Sequence, residues 1–299
     1  MTINLKEYTL LSLGDSFTFG QGTVPPHNKE DPINGHLHNF RGRKTWVEDC
    51  NNNCYTHFLS KYFKKTVNLG SPGISNDWLY HIMRRYVDLN PNENIFVLFS
   101  IGDPQRGSYF DYDKRMKTYR SQSFGYNFGP FNDNRKFLDD YYTIIKNDIT
   151  LHYDYFLFKR KLQDYFYLKK LKNFVFSAYD ITDYRLRKHR HRYKFGDGIG
   201  FVASEYIGSI TGDFESYMDN IDNDITIINY LNLKKLRAKT GCNTIEEYLN
   251  KKALEKGIDK RPKDRVHLSP YLDDEGRPDG HYSRESHIEL AKLLENYVV

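Results

Sequence analysis

Apolar positions along this chain fall into two patterns that alternate: short continuous runs and rhythms of four. The run at 94–101, Asn-Ile-Phe-Val-Leu-Phe-Ser-Ile, has the unbroken apolar character of a strand buried on both faces, and it predicts the central strand of a sheet. Residues 8–13, 66–69 and 173–177 predict three more strands. Between them, Trp46, Cys50, Cys54, Phe58 and Tyr62 recur every fourth residue, which predicts one helix over 45–63 with a single buried face. In that setting Cys50 and Cys54 are packing residues. Trp78, Leu79, Ile82, Met83 and Tyr86 place a second helix over 76–89, with Ser75 as its N-cap. Residues 139–172 are helical in composition, as one long helix or a helical hairpin against the sheet. A short capped helix opens at 243–249. A last helix, capped by Ser283, packs through Ile288, Leu290, Ala291, Leu293 and Leu294. Strands alternating with helices predict an α/β fold, a three-layer α/β/α sandwich on a mainly parallel sheet.

The remaining stretches lack period. Residues 21–44 read as loop, and their His27, His36 and His38 lack the carboxylate or cysteine partners of a metal pattern. Residues 105–134 are rich in Tyr, Arg and Gly and read as a long irregular excursion, and 196–224 is loop-like. A single domain over 1–299 is therefore expected, with a large aromatic and basic insertion at approximately 105–265.

Charge and cysteine content narrow the class only a little. A net charge of +5 permits acidic partners without requiring nucleic acid. The densest basic run, 185–194, reads as a solvated face or a contact for an anionic polymer or protein partner, because the rest of the chain is nearly charge-balanced. The enrichment in Tyr and Phe fits either ring-lined surfaces that grip sugars or a compositional bias. Three cysteines make no disulfide framework. Residues 1–7 lack the pattern of a secretory leader, and no stretch approaches ~18 uninterrupted apolar residues. The expectation is a soluble protein without a membrane span, cytoplasmic or incorporated into a particle.

Chemistry enters at Gly14-Asp15-Ser16, directly after the first strand. A serine hydroxyl is a weak nucleophile until a base, oriented by a third group, takes its proton. Asp279-Gly280-His281 supplies a carboxylate and an imidazole near the other end of the chain. A parallel sheet can bring such distant segments to one edge.

With these residues in view, the chain resembles the SGNH or GDSL hydrolases, a family of serine esterases with a flavodoxin-like α/β/α fold, over three or four short blocks. Gly14-Asp15-Ser16, continued by Phe17 and Gly20, is similar to the block that carries the nucleophile. Asn68-Leu69-Gly70-Ser71-Pro72-Gly73 resembles the second block, in which Gly73 would donate its N–H to an oxyanion hole. The third block of the family is Gly-x-Asn-Asp, and here Gly102-Asp103-Pro104-Gln105-Arg106 stands in its place. The expected Asn is missing. An ionised Asp103 accepts but cannot donate, which leaves Asn76, Arg106, or the Ser16 and Gly73 amides alone to complete the hole. The last block is usually Asp-x-x-His, and Asp279-Gly280-His281 is one residue shorter. By resemblance His281 is the general base and Asp279 its orienting carboxylate. His287 is the alternative base, although its place in the last helix suits packing or capping better.

The resemblance implies deacylation of an ester, acetyl on a carbohydrate, through an acyl-Ser16 intermediate, with no metal or organic cofactor. Two other readings keep the same fold. One is a sugar O-acyltransferase. The other is a structural or binding protein of a viral or surface assembly that contacts a partner through the insertion.

Overall fold

The computed structural model describes residues 4–24, 40–103, 106–113, 118–124, 136, 148–177, 231, 233–257, 267–269 and 280–298. Its strands are β1 (Thr9–Leu13), β2 (Lys65–Asn68), β3 (Ile95–Ile101), β4 (Gly107–Asp113), β5 (Thr118–Phe124) and β6 (Lys172–Ser177). The helices are α1 (Ser16–Phe19), α2 (Phe40–Asn53), α3 (Tyr55–Leu59), α4 (Asn76–Leu89), α5 (Asp148–Leu168), α6 (Leu233–Thr240), α7 (Ile245–Glu255) and α8 (Arg284–Val298).

Four strands form one parallel sheet in the order β2-β1-β3-β6. Thr9 is level with Lys65 on one side and Ile95 on the other, and Phe96 is level with Lys172. Every residue of β1 and β3 is buried, and successive side chains go to opposite faces. Leu10, Leu98 and Phe176 share one core with Tyr55 and Leu59 of α3, Leu249 of α7 and Leu290 of α8. Leu11, Val97, Phe99 and Val175 share the other with Leu79 and Met83 of α4 and Phe158 and Leu162 of α5. The apolar runs are continuous because helices cover both faces, so neither set of side chains meets water. The fold is α/β, with helix layers on both sides of a parallel sheet.

Three predicted caps are present. Ser75 Oγ accepts Trp78 N–H, Thr244 Oγ1 accepts Glu247 N–H, and Ser283 Oγ accepts Ser286 N–H. Glu247 Oε2 in turn accepts the N–H of Asn243, the residue before the cap, at 2.7 Å. Among the described residues, no helix is long and apolar enough to cross a membrane.

Two elements differ from the pattern reading. The helix expected over 45–63 begins earlier, at Phe40, inside the stretch read as loop, and it is not continuous. At Cys54 the backbone turns extended (φ −90°, ψ 164°), and α3 starts afresh at Tyr55. The reason comes from the other end of the chain. His287 of α8 accepts Tyr55 N–H on Nδ1 at 3.2 Å, which satisfies a donor that the break would otherwise strand. Cys50 and Cys54 are nevertheless fully buried free thiols, as packing residues should be.

The excursion read as irregular at 105–134 contains the antiparallel pair β4–β5, with Gly107 opposite Phe124. These strands pair with each other and not with the main sheet. Within 105–265 the chain also returns to the sheet, through α5 and β6. His27, His36, His38, the basic run 185–194 and the stretch 196–224 lie outside the described residues.

Candidate functional site

In an open parallel sheet, ligands bind beyond the carboxyl ends of the strands where the strand order reverses. Here the chain leaves β1, crosses to β2, then returns past β1 to β3, so the reversal lies between β1 and β3. Three loops leave that edge: Gly14-Asp15-Ser16 after β1, the 69–75 loop after β2, and Gly102-Asp103 after β3. All three carry residues singled out from the sequence.

Asp15 is the N-cap of α1, and its Oδ1 accepts Phe17 N–H at 3.1 Å. That capping makes Ser16 the first residue of the helix. Ser16 is 3% exposed. Neither its hydroxyl nor its N–H makes a hydrogen bond among the described residues. Beneath it, Thr18 Oγ1 meets Tyr55 Oη at 2.6 Å, and Asn68 Nδ2 donates to Thr18 O at 2.8 Å. Burial pushes the Tyr55 phenol well above its ordinary value, so it stays neutral and shares a proton with Thr18. Tyr55→Phe is expected to cost about 1–2 kcal/mol, because Thr18 Oγ1 is left buried without its partner. Urea denaturation measures this directly, and an unchanged midpoint would show that the contact contributes nothing.

The β2 loop is tied to the β1 loop by Ser71 N–H, which donates to Gly14 O at 3.0 Å. Gly70 N–H is taken by Asn68 Oδ1. Gly73 has φ 71°, a left-handed conformation that favours glycine, and its N–H has no hydrogen bond among the described residues. Two of the amides expected at an oxyanion hole are thus uncommitted among the described residues.

The other two candidate donors are engaged. Asn76, at the start of α4, pairs with both backbone groups of Gly102: Nδ2 donates to the carbonyl at 3.1 Å, and Oδ1 accepts the N–H at 2.8 Å. Arg106 donates from Nη1 to Asp15 Oδ2 at 2.8 Å. Asp103 is half-buried, and its carbonyl accepts Arg106 N–H at 3.2 Å.

His281 arrives from the far end of the chain. A bridge between Leu268 and Tyr282, with Ser269 N–H donating to His281 O at 2.7 Å, holds this segment. The His281 ring centroid is 5.4 Å from that of Phe17, the residue after Ser16. A Cβ built on Gly22 would stand 2.7 Å from His281 Cβ. The fold therefore brings His281 to α1, but the imidazole and the Ser16 hydroxyl are not hydrogen-bonded to each other. Such bonds are commonly loose without substrate and tighten when it binds. Asp279 lies outside the described residues.

His287, the alternative base, is fully buried, with its ring stacked on Tyr55 and Nδ1 occupied by Tyr55 N–H. Desolvation, helped by the nearby His281 charge, pushes its pKa down to about 3. It serves the fold. Sequence reasoning missed Tyr55, Thr18 and their contact, because nothing local marks a residue whose partner is 37 positions away. Among the described residues, no group of His, Cys, Asp and Glu has the makings of a metal site.

No protein-family model matches the chain, and no curated protein matches it by sequence.

Proposed function

We propose that this protein is an SGNH-type serine esterase that removes an acyl group, acetyl in the simplest case, from a carbohydrate. The observation that carries this reading is a serine at the strand-order reversal whose hydroxyl, own N–H and neighbouring Gly73 N–H are uncommitted among the described residues, with a histidine brought to the adjacent Phe17. Ser16 Oγ attacks the ester carbonyl as His281 takes its proton. The carbonyl oxygen becomes an oxyanion, and the Ser16 and Gly73 amides are the donors offered to it. Collapse breaks the ester C–O bond, and the sugar hydroxyl leaves with the proton from His281. Water then attacks the acyl-Ser16, again deprotonated by His281, and frees the acid. Asp279 takes its role from the resemblance alone: it would orient His281 and stabilise the imidazolium. Transfer of the acyl group to a second sugar uses the same first half-reaction.

One observation favours a second reading. The β3 loop offers Asp103 where the SGNH pattern has a donor, and Ser16 is almost enclosed. A retired site on a binding protein would look like this. Labelling of the purified protein with a fluorophosphonate separates the two. The esterase reading expects stoichiometric modification that disappears in Ser16→Ala. A well-folded wild type that does not label supports the retired site.

A further inference from the structure

The guanidinium of Arg106 sits in an enclosed place: 9% of its side chain is exposed, and none of Asp15. Its Nη1 donates to Asp15 Oδ2 at 2.8 Å and also lies 3.4 Å from Ile74 O. Asp15 uses its other oxygen on Phe17 N–H. One nitrogen thus joins the turn that carries Ser16 to the residue that follows Gly73. The β3 exit closes over this junction. A Cβ on Gly102 would stand 3.3 Å from Asp15 Oδ2, 3.6 Å from Arg106 Nη1 and 3.6 Å from Asn76 Oδ1. Asn76 holds that exit down through both backbone groups of Gly102.

A buried ion pair is weak evidence for stability, since two desolvated charges recover little more than they lose and an apolar pair often folds as well. It does impose direction, because a planar guanidinium fixes the angles of its acceptors in a way that an ammonium does not. We propose that Arg106 is a positioning residue of the Ser16 site: acting through Asp15 and Ile74, it sets the separation between the nucleophile and the Gly73 amide. This rests on the esterase reading for its consequence. The clamp lies in the same loop as the missing third-block Asn but does something else, since Arg106 holds the other two parts of the oxyanion site in register. Attack on a carbonyl needs the reacting atoms about 3–3.5 Å apart and donors about 2.7–3.1 Å from the developing charge. A displacement on the order of 1 Å costs roughly 10²-fold in rate.

The test uses the full chain as wild type, Arg106→Ala and Arg106→Lys. It measures the rate constant for fluorophosphonate labelling, kcat and KM for p-nitrophenyl acetate, and thermal unfolding. The expected result is a folded Arg106→Ala protein whose labelling rate and kcat fall roughly 10²-fold, with KM little changed and part of the loss restored by millimolar guanidinium. A purely structural arginine would lower the unfolding temperature without that split and without rescue. If Arg106→Ala does not fold, Arg106→Lys decides. It keeps the charge beside Asp15 but not the planar donor, so kcat should fall while KM holds, and a wild-type kcat overturns the proposal. Labelling of Arg106→Ala at the wild-type rate also overturns it, with the esterase reading intact. A wild type that does not label removes that reading and the clamp together.

Discussion

Replacing Ser16 with alanine should, on the proposed esterase function, reduce ester turnover by roughly 10⁴–10⁶-fold, and replacing His281 should cost a comparable amount, while the double variant is no worse than either. The lack of additivity matters more than the size of each loss. On the esterase reading nucleophile and base act as one unit: without the base the hydroxyl is not activated, and without the hydroxyl the base has no proton to take. The two positions reach each other only through the fold, being at opposite ends of the sequence, so an incidental effect of either substitution would add to the other. Parallel initial rates on p-nitrophenyl acetate, with circular dichroism to show that each variant folds, make the measurement. Residual turnover in the single variants is expected from the amides of Ser16 and Gly73, which remain. If the losses multiply in the double variant, the two residues act independently and the Ser16–His281 assignment fails. If Ser16→Ala turns over at the wild-type rate, the hydrolysis belongs elsewhere on the molecule. Turnover by Ser16→Ala that survives purification to homogeneity would decide that.

Most of the sheet was legible from the chain because burial leaves a direct trace. The runs that became β1, β3 and β6 are apolar on both faces since helices lie on both sides, and Ser75, Thr244 and Ser283 mark helix starts with local chemistry. The misreadings have a common cause. The break at Cys54 leaves the four-residue rhythm intact, as Cys50 and Cys54 are both buried; what permits it is a nitrogen of His287, 232 residues away from Tyr55. The β4–β5 pair carried a usable signal in its Tyr, Phe and Thr content, which favours strands, but its sequence lacks the alternation by which a strand is usually read. Of the candidate residues, Ser16 and Gly73 follow β1 and β2 at one edge of the sheet, and the His281 ring lies 5.4 Å from that of Phe17. Arg106 and Asn76, offered as donors, are tied to Asp15, Ile74 and Gly102. Sequence shows that a side chain can donate; only the fold shows what has already accepted.

Acid should destabilise this protein through His287, and the sign follows from burial. The folded-state pKa is pushed down to about 3 from 6.5, first by desolvation and then by the charge of His281. Above pH 6.5 the ring is neutral in both states, and its burial costs no proton. As pH falls below 6.5 the unfolded chain takes up a proton that the folded one refuses, so stability drops by about 1.4 kcal/mol per pH unit. By about pH 4.5 the loss approaches roughly 3 kcal/mol, a large share of a typical domain's total. Carboxylates also titrate in this range, so the comparison needs a variant. His287→Asn places an amide oxygen where Nδ1 accepts Tyr55 N–H and cannot be protonated. It should be less stable than wild type near neutral pH, by about 1–2 kcal/mol for lost packing on Tyr55 and Tyr282, yet lose less on acidification. The two urea midpoints should converge between about pH 7 and about pH 4.5. Parallel pH dependences would mean that His287 takes up its proton in the folded state, which its contacts with Tyr55 and Tyr282 leave no room to solvate.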